Sequence, residues 1–504
     1  MGVIIRQSIK GTIVNYAGAL IGMFTLFVII PKYLTTEEFG LMRTLVDAGV
    51  LFVSLAQIGT NSSILRFFPY FKNSANKDNG FFFFTLLIPL IGFILYFTLF
   101  LIFKNFITDS YKEKSELFVN YVYFIIPLGF FMLYQTVFET NSVILLRIVI
   151  PGFVREVGVR IMVLIAYLLF SFHFISLTGL VVAFCCTYGI AACINLGYLF
   201  YLGHISLKPN FKYVTKSLRK DFLYYTFFLM GSAITTAFVP SLGIFFIGAQ
   251  LGLAFAGIYS FAKHIVAIIE IPYRSLGAIS NPHISQSLKE NNIIEANRFV
   301  KKVSLHQFLI GATLFFVIWT NIDLIFQIIP NGDSYAAGKW VVFFLGLSTL
   351  FTTSFTIGGT TLSYSKYYYY SLFLTLILTG AIIVMNVICV PIWGINGAAL
   401  STLFSYGIYY VLLLLLIYWK LKIILFSREQ LKVLILILVL FVLDYFWRQF
   451  ITPFVIIHTH NTLMINFTEA LARTLVLGGI GFFSVYFWKV SEEVNGLIKK
   501  IYRK

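Results

Sequence analysis

Residues 253–281 read LAFAGIYSFAKHIVAIIEIPYRSLGAISN. The stretch is long and apolar enough to cross a bilayer, which takes about 20 residues. It nevertheless carries Lys263, Glu270 and Arg274. At about 100° per residue, Glu270 falls at about 340° and Arg274 at about 20° from Lys263, so a continuous helix puts all three on one face. An ion at mid-membrane costs roughly 2.5–3.5 kcal/mol on insertion scales, and three facing lipid would cost about 7–10 kcal/mol. That face must look into protein or water. A structural reading makes Glu270 and Arg274 a self-neutralised i,i+4 pair that pins helix packing. A functional reading makes the face one wall of a polar cavity that holds an anionic substrate.

The rest of the chain has the same character. Of 504 residues, 59% are hydrophobic and 11% charged, and the mean hydropathy of +0.89 belongs to an integral membrane protein. The expected fold class is all-α with about fourteen transmembrane helices. Hydropathy places them near 11–31, 45–69, 81–103, 117–138, 148–170, 174–202, 221–247, 253–281, 304–329, 338–359, 367–390, 396–419, 429–450 and 467–489. Arg6 and Lys10 precede a full-length apolar run with no small-residue cleavage site after it, so a cleavable signal is not expected. Cys185, Cys186, Cys193 and Cys389 all lie in apolar spans and suggest neither a disulfide framework nor a metal site.

The net charge of +17 is topological. With the N-terminus placed in the cytoplasm, the segments on that side sum to +18 and those opposite to −2, with +1 left on the charged helix. Basic residues on one side are what the positive-inside rule requires, and they exclude nucleic acid as the reason for the charge. Both termini are then cytoplasmic. Loops are short, which leaves no room for a soluble domain. Tyr364 and Tyr367–Tyr370 beside Lys366 read as an interfacial aromatic belt, and the tail WKVSEEVNGLIKKIYRK as a basic helix on anionic headgroups.

The first half of the chain recurs in the second. Leu34 and Gly40 match Leu251 and Gly257 at an offset of 217. LGFFMLYQTVF (128–138) matches LGLSTLFTTSF (345–355) at the same offset, and GLVVAFCCTYGI (179–190) matches GAALSTLFSYGI (397–408) at 218. Six spans per half means that both halves enter from the same side, as parallel repeats related by an axis along the membrane normal. The expected lobes are 1–217 with spans 1–6 and 218–425 with spans 7–12; residues 426–504 add spans 13 and 14 and the basic tail. In this plan the charged eighth span corresponds to the second, which carries Arg43, Asp47, Asn61 and Arg66; Asp47 aligns with His264. Asn61 lies 18 residues after Arg43, about five turns on a continuous helix. Thr35 and Glu38 read as a capping box at the start of that span. Arg43 and Asp47 can also be read as closing the outer loop, and Arg66 as an interfacial positive-inside residue.

PKYLTTEEFGLMRTL (31–45), GTNSSILRFFPY (59–70) and WGINGAALSTL (393–403) resemble the polysaccharide-export flippases of the multidrug/oligosaccharidyl-lipid/polysaccharide exporter superfamily. The likeness covers roughly residues 5–425. It implies a flippase, not an enzyme, that moves undecaprenyl-pyrophosphate-linked oligosaccharide (O-antigen and similar units for lipopolysaccharide and other surface polysaccharides) from the cytoplasmic to the periplasmic leaflet of a bacterial inner membrane. Cationic residues hold the pyrophosphate in that family, which makes Lys263, Arg274, Arg43, Arg66, Arg6 and Lys10 the candidates. Glu270, Asp47, His264, Asn61 and Asn15 are the candidate polar or coupling groups. No cofactor or metal is expected. Coupling to Na⁺ or H⁺ is left open, as is association with a polysaccharide polymerase and a chain-length regulator; a monomer is expected.

Two rivals remain. A multidrug or organic-cation antiporter of the same superfamily needs an acidic cavity, whereas here the cations outnumber Glu270 and Asp47. A membrane-embedded polymerase or ligase needs catalytic groups in an outside loop, and the H-x-H pair His458 and His460 is its only candidate.

Overall fold

The computed structural model describes residues 14–72, 78–145, 147–203, 207–211, 213–290, 292–452, 462–491 and 495–496, and at 227–236, 274, 275, 278, 279, 282, 462 and 463 the backbone only. Arg6, Lys10, His458, His460 and most of the basic tail lie outside the described residues, as does the side chain of Arg274. Among the described residues there is no strand. Among the described residues ten helices are long and apolar enough to cross a membrane, and one of them, Tyr369–Leu421, covers nearly all of both the eleventh and the twelfth expected spans. The expected count of fourteen is not reached by this measure. The fifth span is interrupted, the eighth is split, and of the seventh a 14-residue apolar stretch, Ala237–Gln250, is described with its side chains. The chain is a multi-pass membrane protein that divides into two compact units, Met1–Gly257 and Ile258–Lys504.

In the first unit, α1 (Val14–Tyr33) presents Gly18 and Gly22 to the fifth span. A Cβ on Gly18 would lie 2.2 Å from the Glu156 carbonyl oxygen, and one on Gly22 would lie 3.1 Å from Arg160 Nη1. This is the small-xxx-small packing of membrane helices, in which van der Waals contact stands in for the absent hydrophobic drive. α2 (Thr36–Ala56) starts with the expected capping box: Glu38 N–H donates to Thr35 Oγ1 and Thr35 N–H donates to Glu38 Oε2. It stops at a left-handed pair, Ile58 (φ 49°) and Gly59 (φ 71°), after which α3 (Thr60–Phe71) begins. The second span is therefore two helices, not one. α4 (Phe81–Lys112) and α5 (Glu116–Ile144) follow. The fifth span is α6 (Val149–Phe153), a π-turn over Val154–Gly158, and α7 (Val159–Ser171). Beyond α8 (Leu177–Tyr201) comes α9 (Lys216–Gln250), which belongs to this unit because it packs on α2, α3 and α4. Tyr111 donates to the Phe245 carbonyl at 2.9 Å, and Ser115 to that of Gly248 at 2.6 Å, fastening the end of α4 to α9.

Across the unit boundary in sequence, α10 (Leu253–Ala267) and α11 (Glu270–Lys289) divide the eighth span. Between them Ile268, Ile269 and Ile271 each donate to the carbonyl three residues back. Such a turn advances about 120° per residue instead of about 100°. The eighth span is therefore not one continuous α-helix, and the register that put Lys263, Glu270 and Arg274 on one face assumed that it was. The second unit continues with α12 (Ile293–Thr320), α13 (Ile322–Ile328), α14 (Lys339–Tyr364), α15 (Tyr369–Leu421), α16 (Arg428–Phe446) and α17 (Thr462–Phe487). Gly394, at φ 57° and ψ −134°, makes the bend inside α15. Ser304 donates to the Ser354 carbonyl and accepts from Gln430 Nε2 at 2.8 Å, joining α12, α14 and α16 through buried polar groups. Lys366 lies 5.2 Å from the ring centre of Tyr367, and Lys420 lies 5.7 and 5.8 Å from those of Tyr367 and Tyr370, so the expected aromatic belt gathers lysines over its rings.

The sequence repeat has a packing counterpart. Gly40 and Gly257 face each other reciprocally: a Cβ on Gly40 would lie 1.9 Å from the Leu253 carbonyl oxygen, and a Cβ on Gly257 would lie 2.0 Å from that of Thr36. Thr36 and Leu253 are themselves 217 apart, so the repeat-matched segments touch through the same atoms in both directions. Gly129 seats the ring of Phe52 and its match Gly346 seats that of Phe315, with a Cβ approaching to 2.8 and 2.4 Å.

Candidate functional site

The second span builds its polar group from one helical turn. Arg43 and Asp47, four residues apart on α2, form an ion pair at 2.9 Å between Nη2 and Oδ1. Their side chains are 25% and 9% exposed, and both Arg43 Nε and Asp47 Oδ2 are buried without a hydrogen bond. A guanidinium has five N–H donors. One is committed here, so Arg43 keeps the fork geometry that pairs with a second anion. The start of the helix is capped by Thr35 and Glu38, so the pair does not do that work.

Asn61 sits at the start of α3 with its Oδ1 buried and without a hydrogen bond. The reversal at Ile58–Gly59 removes the five-turn register that would have aligned it with Arg43. Arg66 is exposed, and its guanidinium carbon lies 4.1 Å from the ring centre of Tyr225 and 5.7 Å from that of Phe67. Asn15 is exposed on α1.

On the eighth span, Lys263 is half-buried on α10, and Glu270 is half-buried as the first residue of α11. His264 Nδ1 is 2.6 Å from the Ser260 carbonyl oxygen. A carbonyl only accepts, so Nδ1 carries the proton in this contact. Asp47 and Arg43 are in the first unit; Lys263, His264 and Glu270 are in the second.

Two charge clusters lie outside the candidate set, and the sequence marked one of them, since Arg155, Glu156 and Arg160 load the first half of the fifth span. In the first unit, Arg155 pairs with Glu139 and with Glu156, and Arg160 pairs with Glu156 at 2.9 Å. Arg155, Glu156 and Arg160 belong to the interrupted fifth span, Glu139 to α5, and Glu156 and Arg160 lie where α1 packs. In the second unit, six charges from α13, α14, α16, the turn that follows it and α17 meet beside the end of α12. Asp323 accepts from Lys339 Nζ at 2.6 Å and from Arg448 Nη1 at 3.1 Å. Arg448 also pairs with Asp444 at 2.9 Å, and Arg473 lies 3.4 Å from Asp444 and 3.7 Å from Glu469. Both arginines donate to the Thr320 carbonyl, at 2.5 and 2.6 Å. Burial would raise the Asp323 carboxyl, but the hydrogen bonds and charges of Lys339 and Arg448 outweigh it and hold it below the usual carboxylate range. A sequence signal existed: Asp444/Arg448 and Glu469/Arg473 are both acid–base pairs at i,i+4. Counting net charge per loop cancelled them.

The fold is similar to that of solved membrane transporters. A lipid II flippase MurJ in an inward-closed conformation superposes with a TM-score of 0.72 at 13% identity, over 95% of this chain and 99% of that one. An inward-facing multidrug resistance MATE transporter gives 0.61 at 15% identity, over 83% and 98%, and the Vibrio cholerae MATE transporter VcmN in its bent form gives 0.52 at 13%, over 84% and 98%. No curated protein sequence matches the chain. These structures are flippases and transporters, not enzymes, and their likeness is one of fold. The family described as "Polysaccharide biosynthesis protein" matches residues 5–288, more than half of the chain, and the protein belongs to that family.

Proposed function

We propose that the protein flips a lipid-linked oligosaccharide, an undecaprenyl-pyrophosphate-linked glycan, from the cytoplasmic to the periplasmic leaflet of a bacterial inner membrane for surface polysaccharide assembly. Its termini are cytoplasmic, and the lobes 1–217 and 218–425, followed by 426–504, work by alternating access. The observation that carries this reading is the placement of cations within the apolar second and eighth spans. Arg43 retains free donors although it is paired, and Lys263 is a half-buried cation in an apolar helix. Arginine forks and lysine ammonium groups bind pyrophosphate oxygens as charge-assisted hydrogen bonds. Arg274, Arg66, Arg6 and Lys10 extend the cationic set. Asp47 and Glu270 limit how tightly the anion is held, and with His264, Asn61 and Asn15 they are the groups available for cation coupling and for glycan hydroxyls.

The MATE-like fold favours a second reading, organic-cation antiport. The charge of the candidate set opposes it, since an organic cation would meet more cations than carboxylates. Proteoliposomes holding a fluorescent prenyl-pyrophosphate oligosaccharide separate the two. The wild type transfers the lipid between leaflets, and Lys263→Ala, Arg274→Ala and Arg43→Ala reduce that transfer at normal expression. Ethidium export without lipid transfer would replace the flippase reading by the antiporter.

A further inference from the structure

The start of α9 forms one wall of a groove that none of the candidate cations lines, with Arg66 as its neighbour, 4.1 Å from the Tyr225 ring centre. The groove has a volume of about 650 Å³ and is lined by Ile58, Lys216, Arg219, Lys220, Leu223, Tyr224 and Thr226. At about 100° per residue, the six α9 positions fall within an arc of about 160° on one face. Asp221 lies about 140° from Lys216, off that face. Lys216, Arg219 and Lys220 are exposed, and among the described residues none of them forms an ion pair. The cations occupy the first turn and a half. Directly beyond them come Leu223, 56% exposed, and Tyr224, 79% exposed. From Lys216 to Thr226 the face rises about 15 Å, half of a hydrocarbon core of about 30 Å. A charged band above an apolar band one leaflet deep has the dimensions of a single lipid.

We infer that this groove binds an anionic glycerophospholipid from the leaflet at the basic face of the protein, with its phosphate on Lys216, Arg219 and Lys220 and an acyl chain along Leu223, Tyr224 and Ile58. The lining selects this occupant over a glycan-bearing lipid. The groove has no carboxylate or amide side chain to accept from sugar hydroxyls. Of its two hydroxyls, that of Thr226 lies 2.7 Å from Ser63 Oγ and is already committed, which leaves the exposed Tyr224 phenol among three cations. Three cations gathered over exposed hydrocarbon match a small anionic headgroup, as basic pockets between membrane helices do. The inference does not depend on the transport reading.

The test uses the full-length protein in nanodiscs of phosphatidylcholine with increasing phosphatidylglycerol, with bound lipid counted by native mass spectrometry and stability followed by thermal melting. The wild type retains phosphatidylglycerol over phosphatidylcholine. K216Q/R219Q/K220Q loses about fivefold in apparent affinity per cation, roughly a hundredfold in all, and melts like the wild type in pure phosphatidylcholine. K420Q/K422Q, which removes basic charge elsewhere, leaves the preference intact. The inference is overturned if the triple variant keeps its preference, if the control loses as much, or if phosphatidylcholine is retained equally by the wild type. Displacement of phosphatidylglycerol by equimolar prenyl pyrophosphate, through the same three residues, would reassign the groove to the transported lipid. Leaflet transfer measured in parallel keeps a failed flippase reading distinct from a failed lipid site.

Discussion

Replacing Arg473 with methionine tests the charge cluster that ties the last two helices to the second unit. The Arg473 side chain is 6% exposed, so its partners are removed from water with it. Nη2 donates to the Thr320 carbonyl at 2.6 Å, while Nε is 3.4 Å from Asp444 without hydrogen-bond geometry, and Nη1 is 3.7 Å from Glu469. Breaking a buried ion pair costs about 3–5 kcal/mol, because the partner charge stays behind uncompensated. Here the partners keep other donors. Asp444 retains Arg448 at 2.9 Å, Thr320 retains Arg448 Nη2, and Glu469 retains Trp447 Nε1 at 3.0 Å and Thr452 at 2.7 Å. The expected cost is therefore at the lower end, about 3 kcal/mol, or a fall in melting temperature of roughly 6–12 °C for a unit of this size. Arg448→Met should cost less, because that side chain is 34% exposed and water solvates what remains. Melting can be followed in detergent by thiol-dye labelling of buried Cys185 and Cys389 in a background lacking exposed Cys186 and Cys193. A melting temperature for Arg473→Met within about 2 °C of the wild type, or a larger loss for Arg448→Met, would refute the reasoning.

Gly40→Ala and Gly257→Ala should each destabilise the protein sharply, because the added Cβ lands 1.9 or 2.0 Å from a carbonyl oxygen that is part of a helix; Gly407→Ala, which meets nothing within 4 Å, is the control. Ile58→Gly should stabilise by about 1–2 kcal/mol in the same assay, since a β-branched residue at φ 49° carries left-handed strain that glycine does not. Asp323 gives a pH dependence. Its native carboxyl lies below its unfolded value near 3.9, so its contribution is complete above about pH 4 and is lost as pH falls through the lowered native value. The melting difference between wild type and Asp323→Asn should accordingly shrink below pH 4 and stay flat from pH 5 to 8.

Hydropathy placed the long helices because lipid demands apolar length whatever the tertiary packing. The capping box of Thr35 and Glu38 was legible for a similar reason: it is satisfied within one turn. Arg43 and Asp47 were singled out by depth, and their four-residue spacing became an ion pair. The breaks were not legible. Ile58 is a residue that disfavours the left-handed conformation, so its sequence argues against the reversal it makes, and Gly59 alone is a weak cue. At Ile268–Ile269 nothing in an all-isoleucine step distinguishes a tightened turn from a helix. The face that joined Lys263 to Glu270 and Arg274, and the register that joined Arg43 to Asn61, both assumed straight helices. The cluster around Arg473 was hidden because its members come from five elements, and only the folded chain brings Thr320 and Asp323 to Arg448.

The glycine contacts bear on which of the matched positions are free to change. At most positions a substitution in one half alters one environment and drifts freely. At Gly40 and Gly257 each residue is the floor on which the other copy's segment rests, so enlarging either one damages both segments at once. Gly129 and Gly346 are held separately, each by its own aromatic ring, and Gly179 and Gly397 by Ile175 and by the Cys389 carbonyl. The matched glycines thus stand mainly where a side chain has no room to appear, while of Gly189 and Gly407 the second meets nothing within 4 Å. Of the four matched pairs, this is the one in which divergence is expected first.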